Sequence, residues 1–128
     1  MIRALVLTHG RLGEELRRVA ELLLGPIEKL DVASNVGLAA DRVVENVGRW
    51  LAEAPEEAVI LVDERSGSCA TAARIAAAGR KDVRIVCGVN LAMLLGYVTW
   101  RESQEPASLA RRLVNAGREA IVELGTDS

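Results

Sequence analysis

The sequence has 128 residues, 18 acidic and 16 basic, with a formal charge of -2. Half of it is hydrophobic but only 2% is aromatic, with two Trp, one Tyr and no Phe. That length suits one domain and that apolar content excludes intrinsic disorder, while the lack of a basic block or stacking rings excludes a nucleic-acid platform.

Taken in chain order, Ile2–Thr8 is a nearly continuous apolar run and predicts a first strand covered on both faces. Leu12, Leu16, Val19, Ala20 and Leu23 then form one helical face, with Glu14 and Glu15 in the first turn and Gly25-Pro26 as the stop. Ile27–Ala33 predicts a second strand. Ala40, Val43, Val44, Val47 and Leu51 mark a second helix that ends near Pro55. Ala58–Asp63 predicts the third strand, and Ser68 to Ala78 an Ala-rich helix closed by Gly79. Val83–Gly88 predicts the fourth strand, followed by helices over Leu91–Trp100 and Pro106–Leu124. Strand and helix alternate throughout, which calls for a single three-layer α/β domain over residues 1–128 built on a parallel sheet.

No apolar run approaches the ~20 residues of a membrane span. Met1 leads directly into the first strand without a secretory cleavage pattern, so a cytoplasmic protein is expected. Cys69 and Cys87 are too few for a disulfide framework, and with one histidine they make a poor zinc set. Cys69 reads as a small buried residue and Cys87 as core; Trp50 and Trp100 read as packing or dimer-surface residues.

Ligands of an open parallel sheet bind at the carboxyl ends of its strands. The segments there are Thr8-His9-Gly10-Arg11-Leu12-Gly13, Asp63-Glu64-Arg65-Ser66-Gly67-Ser68-Cys69 and Gly88-Val89-Asn90. His9, the sole histidine, precedes two glycines and a helix N-terminus whose N–H groups suit a phosphate. Ser66, Gly67 and Ser68 offer a second such start. A lone histidine at a strand end is commonly structural, but here it lies between two anion-friendly loops. Asp63 either orients the imidazole, leaving the other ring nitrogen as nucleophile, or serves as a turn former or helix cap. Arg11 and Arg65 flank the site and either pair with phosphate or are solvated surface residues.

Through about residue 122 the chain resembles the IIA component of the mannose-type family of the bacterial phosphoenolpyruvate:sugar phosphotransferase system. The resemblance rests on Thr8-His9-Gly10 after the opening strand, Leu22-Leu23-Leu24-Gly25, Val62-Asp63 with Ser66-Gly67-Ser68, and Ala72-Ala73-Arg74-Ile75. It continues in Gly88-Val89-Asn90 with Met93-Leu94 and in Gly117-Arg118-Glu119. It implies strand order 2-1-3-4, an extra C-terminal antiparallel strand in some arrangements, and a homodimer, sometimes with exchange of a C-terminal segment. It also implies that His9 accepts a phosphoryl group on Nε2 from the phosphocarrier HPr, with Asp63 holding Nδ1. Gly10, Gly67 and Ser68 would hold the phosphate oxygens. No metal or organic cofactor is implied.

The acceptor would be a IIB component, expected as a separate protein because the 128 residues carry no attached IIB domain, and membrane contact would be indirect, through a permease complex. The chain differs from the family pattern in having Arg65 and Ser66 where an aromatic and a glycine are common, Cys69 where proline follows the serine, and Ala92 where proline follows the asparagine. Three classes of function meet these residues: a phosphohistidine carrier for sugar uptake, a regulatory protein signalling by its phosphorylation state (or the phosphoryl-donor subunit of a dihydroxyacetone kinase type system), and a non-catalytic flavodoxin-like binding module.

Overall fold

The computed structural model describes residues 1–54 and 57–127. Strands β1 (Arg3–Thr8), β2 (Leu30–Ser34), β3 (Ala58–Val62) and β4 (Val83–Cys87) alternate with helices α1 (Leu12–Leu24), α2 (Ala40–Glu53) and α3 (Ser68–Ala76). Helices α4 (Leu91–Trp100) and α5 (Pro106–Glu119) follow β4. All strand pairs are parallel and the sheet order is β2-β1-β3-β4.

Alternation of side chains along β1 and β3 divides the core into two layers. Ala4, Val6, Val59 and Leu61 face Ala20 of α1, Met93, Leu94 and Tyr97 of α4, and Leu109 and Leu113 of α5. Leu5, Leu7, Ile60 and Val62 face Val43, Val47 and Trp50 of α2 and Cys69, Ala70 and Ala73 of α3. Only the two central strands are buried along their whole length. β2 and β4 stand at the sheet edges, which corrects the expectation of four strands covered on both faces. Arg84 and Cys87 are exposed there, so Cys87 is not a core residue.

β1, β3 and β4 are each one residue shorter than expected, and three boundaries differ by more. β2 begins at Leu30 because Glu28 and Lys29 form a turn, Lys29 with φ 61°; Ile27 is buried ahead of it without strand pairing. α3 stops at Ala76, and a turn reaches Gly79 at φ 80°. α5 stops at Glu119, five residues before Leu124, and Gly117 is its last buried residue. Beyond it Ile121, Val122 and Leu124 are exposed at 80%, 69% and 78%, and residues 121–127 form neither helix nor strand. α2 ends at Glu53; Pro55, expected to mark its end, lies outside the described residues.

Candidate functional site

Strand order places the carboxyl ends of β1 and β3 side by side, with β2 on one flank and β4 on the other. Crossovers from these two strands leave in opposite directions, which opens a crevice at this point. Leu7 pairs with Val62, so the residues that follow, Thr8-His9 and Asp63, emerge at one level.

Asp63 grips His9 twice. Its Oδ2 accepts the His9 backbone N–H at 2.9 Å, and its two oxygens lie 3.0 and 3.2 Å from the ring Nδ1. A carboxylate has only acceptors, so Nδ1 carries the proton and Nε2 presents its lone pair. Asp63 is largely sequestered, its side chain 12% exposed, whereas the His9 side chain is 42% exposed. The anchored face is inside and the open nitrogen outside. On that side the Ser68 hydroxyl stands 3.4 Å from Nε2.

The surrounding loops are tied from several directions. Gly10 sits at φ 58°, and its N–H donates to Asn35 Oδ1 at 3.2 Å, which binds the turn after β1 to the end of β2. Buried Thr8 accepts the Gly13 N–H through Oγ1 at 2.8 Å, inside the first turn of α1. A Cβ on Gly13 would meet Val6, Thr8 and Val32 at 3.0 to 3.2 Å, so this glycine seats α1 on the sheet and is not a point of ligand approach. Glu64 accepts hydrogen bonds from the Ser66 amide and hydroxyl, which hold its carboxyl below the usual range and shape the approach to α3. α3 starts without a side-chain cap. Helix geometry therefore leaves the amides of Ser68, Cys69 and Ala70 without intrahelical acceptors, beside the open face of His9.

His9, Asp63, Gly67 and Ser68 are thus brought together as expected. Arg65 is exposed, and Arg11 is exposed and paired with Glu14 at 3.4 Å. Asn35 and Glu64 escaped sequence reasoning. The signal for Asn35 was a polar turn residue after a strand that neighbours β1; Glu64 had the form of an Asx-like turn two residues before Ser66. Cys69, buried in the first turn of α3, has Sγ within 4.8 Å of the His9 and Asp63 donor atoms. Burial first, and then the Asp63 charge, push its thiol up. Among the described residues these three are the ones whose donors are grouped closely enough for a metal.

Two grooves open from the loops that hold the imidazole, although His9 itself lines neither. One of 370 Å³ lies between α1 and β2 and includes Gly10, Arg11 and Arg17. The other, of 720 Å³, runs between α2 and α3 from Ser66–Ser68 over Val44, Ala72 and Ile75 to Asp41 and Glu45. Among the described residues no helix is long and apolar enough to cross a membrane.

Residues 3–114 match the family described as "PTS system fructose IIA component". The chain is 30% identical over 122 residues to the mannose-specific EIIAB component of Escherichia coli K12, an alignment covering 91% of this chain and 38% of that protein. Its fold is similar to that of the mannose/sorbose-specific IIA subunit from Enterococcus faecalis, with TM-score 0.89 and 19% identity over 99% and 97% of the two chains. The EIIA component from Streptococcus agalactiae gives TM-score 0.88 and 21% identity over 96% and 97%. With the family match running through all four strands and into α5, the chain belongs to the mannose-type IIA family of the sugar phosphotransferase system.

Proposed function

We propose that the protein is a phosphohistidine carrier in which Nε2 of His9 accepts a phosphoryl group from HPr and delivers it to a IIB domain for sugar uptake. The observation that carries this reading is the pair of contacts from Asp63 to Nδ1, at 3.0 and 3.2 Å, which leave Nε2 as the nucleophile beside an uncapped helix start. In the transfer, the P–N bond to the donor histidine breaks as the P–Nε2 bond forms. The Nδ1 proton stays on its ring, held toward Asp63, and no net proton is exchanged with solvent. A loose transition state of this kind needs alignment and charge stabilisation more than covalent help. The Ser68 hydroxyl and the amides opening α3 supply donors for the phosphoryl oxygens; the Gly10 amide, engaged by Asn35, would have to exchange partners to join them.

The grooves flanking His9 support docking of a protein donor and acceptor in turn. A cytoplasmic carrier that meets the membrane only through its permease fits a chain without an apolar span among its described residues. A homodimer is part of the same reading, with the exposed apolar residues after α5 at its interface.

The test is labelling with phosphoenolpyruvate, enzyme I and HPr. His9→Ala should fold and take no label; full labelling of this variant would refute the assignment. Asp63→Asn offers an N–H₂ to the ring, favours the wrong tautomer and removes a stabilising charge. It should fold and be labelled at least ~100-fold more slowly, the low end for a misplaced acid–base partner. A near-normal rate would return Asp63 to a merely structural role.

A further inference from the structure

The donor atoms of His9, Asp63 and Cys69 all lie within 4.8 Å of one another and comprise one nitrogen, one oxygen and one sulfur. Counting only cysteines and histidines makes this chain a poor zinc set; the fold supplies the missing carboxylate by bringing the end of β3 against the end of β1. We propose that these three residues form an inhibitory site for a thiophilic divalent cation of the zinc class, which occupies the imidazole and so competes with phosphorylation of His9. The competition rests on the phosphocarrier reading; the metal site itself does not.

The chemistry of the set favours such an ion. Thiolate, imidazole and carboxylate are all ordinary zinc ligands, and a sulfur donor excludes magnesium or calcium as a fitting guest. One thiolate and one carboxylate around a neutral imidazole balance a double positive charge, so the loaded site is neutral overall. On binding, Cys69 loses its thiol proton to solvent and forms a metal–sulfur bond, His9 gives a ring lone pair, and Asp63 exchanges its hold on Nδ1 for the ion. Three protein ligands leave a fourth tetrahedral position, which the half-exposed His9 opens to water. Rigidity helps as well: Asp63 already grips the His9 amide and ring, and Cys69 is fixed by burial in the first turn of α3. Donor atoms that now lie within 4.8 Å of one another must close to roughly 3.5 Å to share one tetrahedral ion at bonds of ~2.0–2.3 Å.

Cobalt(II) is the probe, because sulfur ligation gives a thiolate-to-metal charge-transfer absorption that nitrogen and oxygen ligands do not. The wild-type chain and Cys87→Ala, which lacks the other, exposed thiol, should both show this band with one ion per chain, displaced by zinc. Cys69→Ala should lose the band and bind zinc at least ~10-fold more weakly, the low end even for loss of an outer-shell partner. A wild-type chain without the band, a band that survives Cys69→Ala, or one that vanishes in Cys87→Ala would overturn the site. Zinc should then slow labelling of the wild-type chain but not of Cys69→Ala under the same donor system. Equal slowing of both would overturn the competition. If the metal-free chain takes no label at all, the carrier reading fails while the cobalt spectrum still decides the site.

Discussion

A β-carbon on Gly67 would stand 2.6 Å from Cε1 of His9, closer than real atoms pack, and a tight 3.1 Å from Nε2. The backbone there, φ -83° and ψ 172°, is one any residue adopts, so what the position requires is the absence of a side chain. Gly10, at φ 58°, is the opposite case: open space surrounds it and its conformation is the constraint. In the sequence both read as glycines that let backbone approach a phosphate; the structure makes Gly67 the seat of the imidazole itself. Gly67→Ala should therefore fold normally but tilt the ring against the hold of Asp63. Misplacing a reacting group by ~1 Å can cost ~10²-fold in rate, and a loss of that order is expected in single-turnover labelling, with circular dichroism unchanged. A wild-type rate would mean that the ring has room to give. His9 and Asp63 were legible because strand ends are where such folds bind ligands. The hold of Asn35 on Gly10 and the closeness of Cys69 to the imidazole were not, since they depend on the path of the turn after β2 and on the rotation of α3.

At the level of elements, periodicity located every helix and strand, because each helix buries a stripe and the central strands are apolar on both faces. It failed where apolar residues are not buried within one chain. Ile121 and Leu124 continue the stripe of Leu109, Leu113 and Gly117 at helical spacing, yet α5 ends at Glu119 and both are exposed together with Val122. They lie beyond the helix that packs beside β4, and among the described residues β4 pairs only with β3. An edge strand with an open row of backbone donors and acceptors, next to an exposed apolar segment, is well suited to pairing with a second copy. Sedimentation equilibrium at micromolar concentration should accordingly give about twice the 13.7 kDa chain mass. Replacing Ile121, Val122 and Leu124 by serine should shift the population to monomer. A wild-type chain sedimenting only at 13.7 kDa would sink the dimer, and a serine variant that remains dimeric would move its interface elsewhere.

Across the whole molecule the two ends of the sheet are built differently. The carboxyl end holds the half-exposed imidazole and its grooves, while the amino end is closed by buried polar latches. Arg3 stacks 4.1 Å over Trp50 and donates to the carbonyls of Trp50 and Ala54, and Trp50 Nε1 donates to Asp31 at 2.8 Å. Tyr97 of α4 directs its hydroxyl at the carbonyls of Ile2, 2.6 Å away, and Lys29, at 3.0 Å, which joins the helix to the entries of β1 and β2. Ionising a phenol so enclosed is opposed, because a phenolate would lose its donor and face two carbonyl oxygens, which the nearby Arg101 guanidinium offsets only in part. Burial pushes its pKa above the ordinary value of 10.0. An unfolded chain releases that proton more readily than the folded one, so the latch is fully present below pH 10 and is lost as pH rises from there through the folded value. Cys69 and Cys87, also raised by burial, add a decline of the same sign from about pH 9.0, so the comparison must be made against a variant. Tyr97→Phe should cost about 1–3 kcal/mol at neutral pH, the range for buried groups left unpaired. In urea unfolding its stability should then fall less steeply than that of the wild-type chain above pH 10. Tyr97 is the only tyrosine, so tyrosinate absorbance reports this group alone and should lag until the folded state is lost. Ionisation at pH 10 in a chain that is still folded, or parallel pH slopes for the two proteins, would show that the amino end does not depend on that proton.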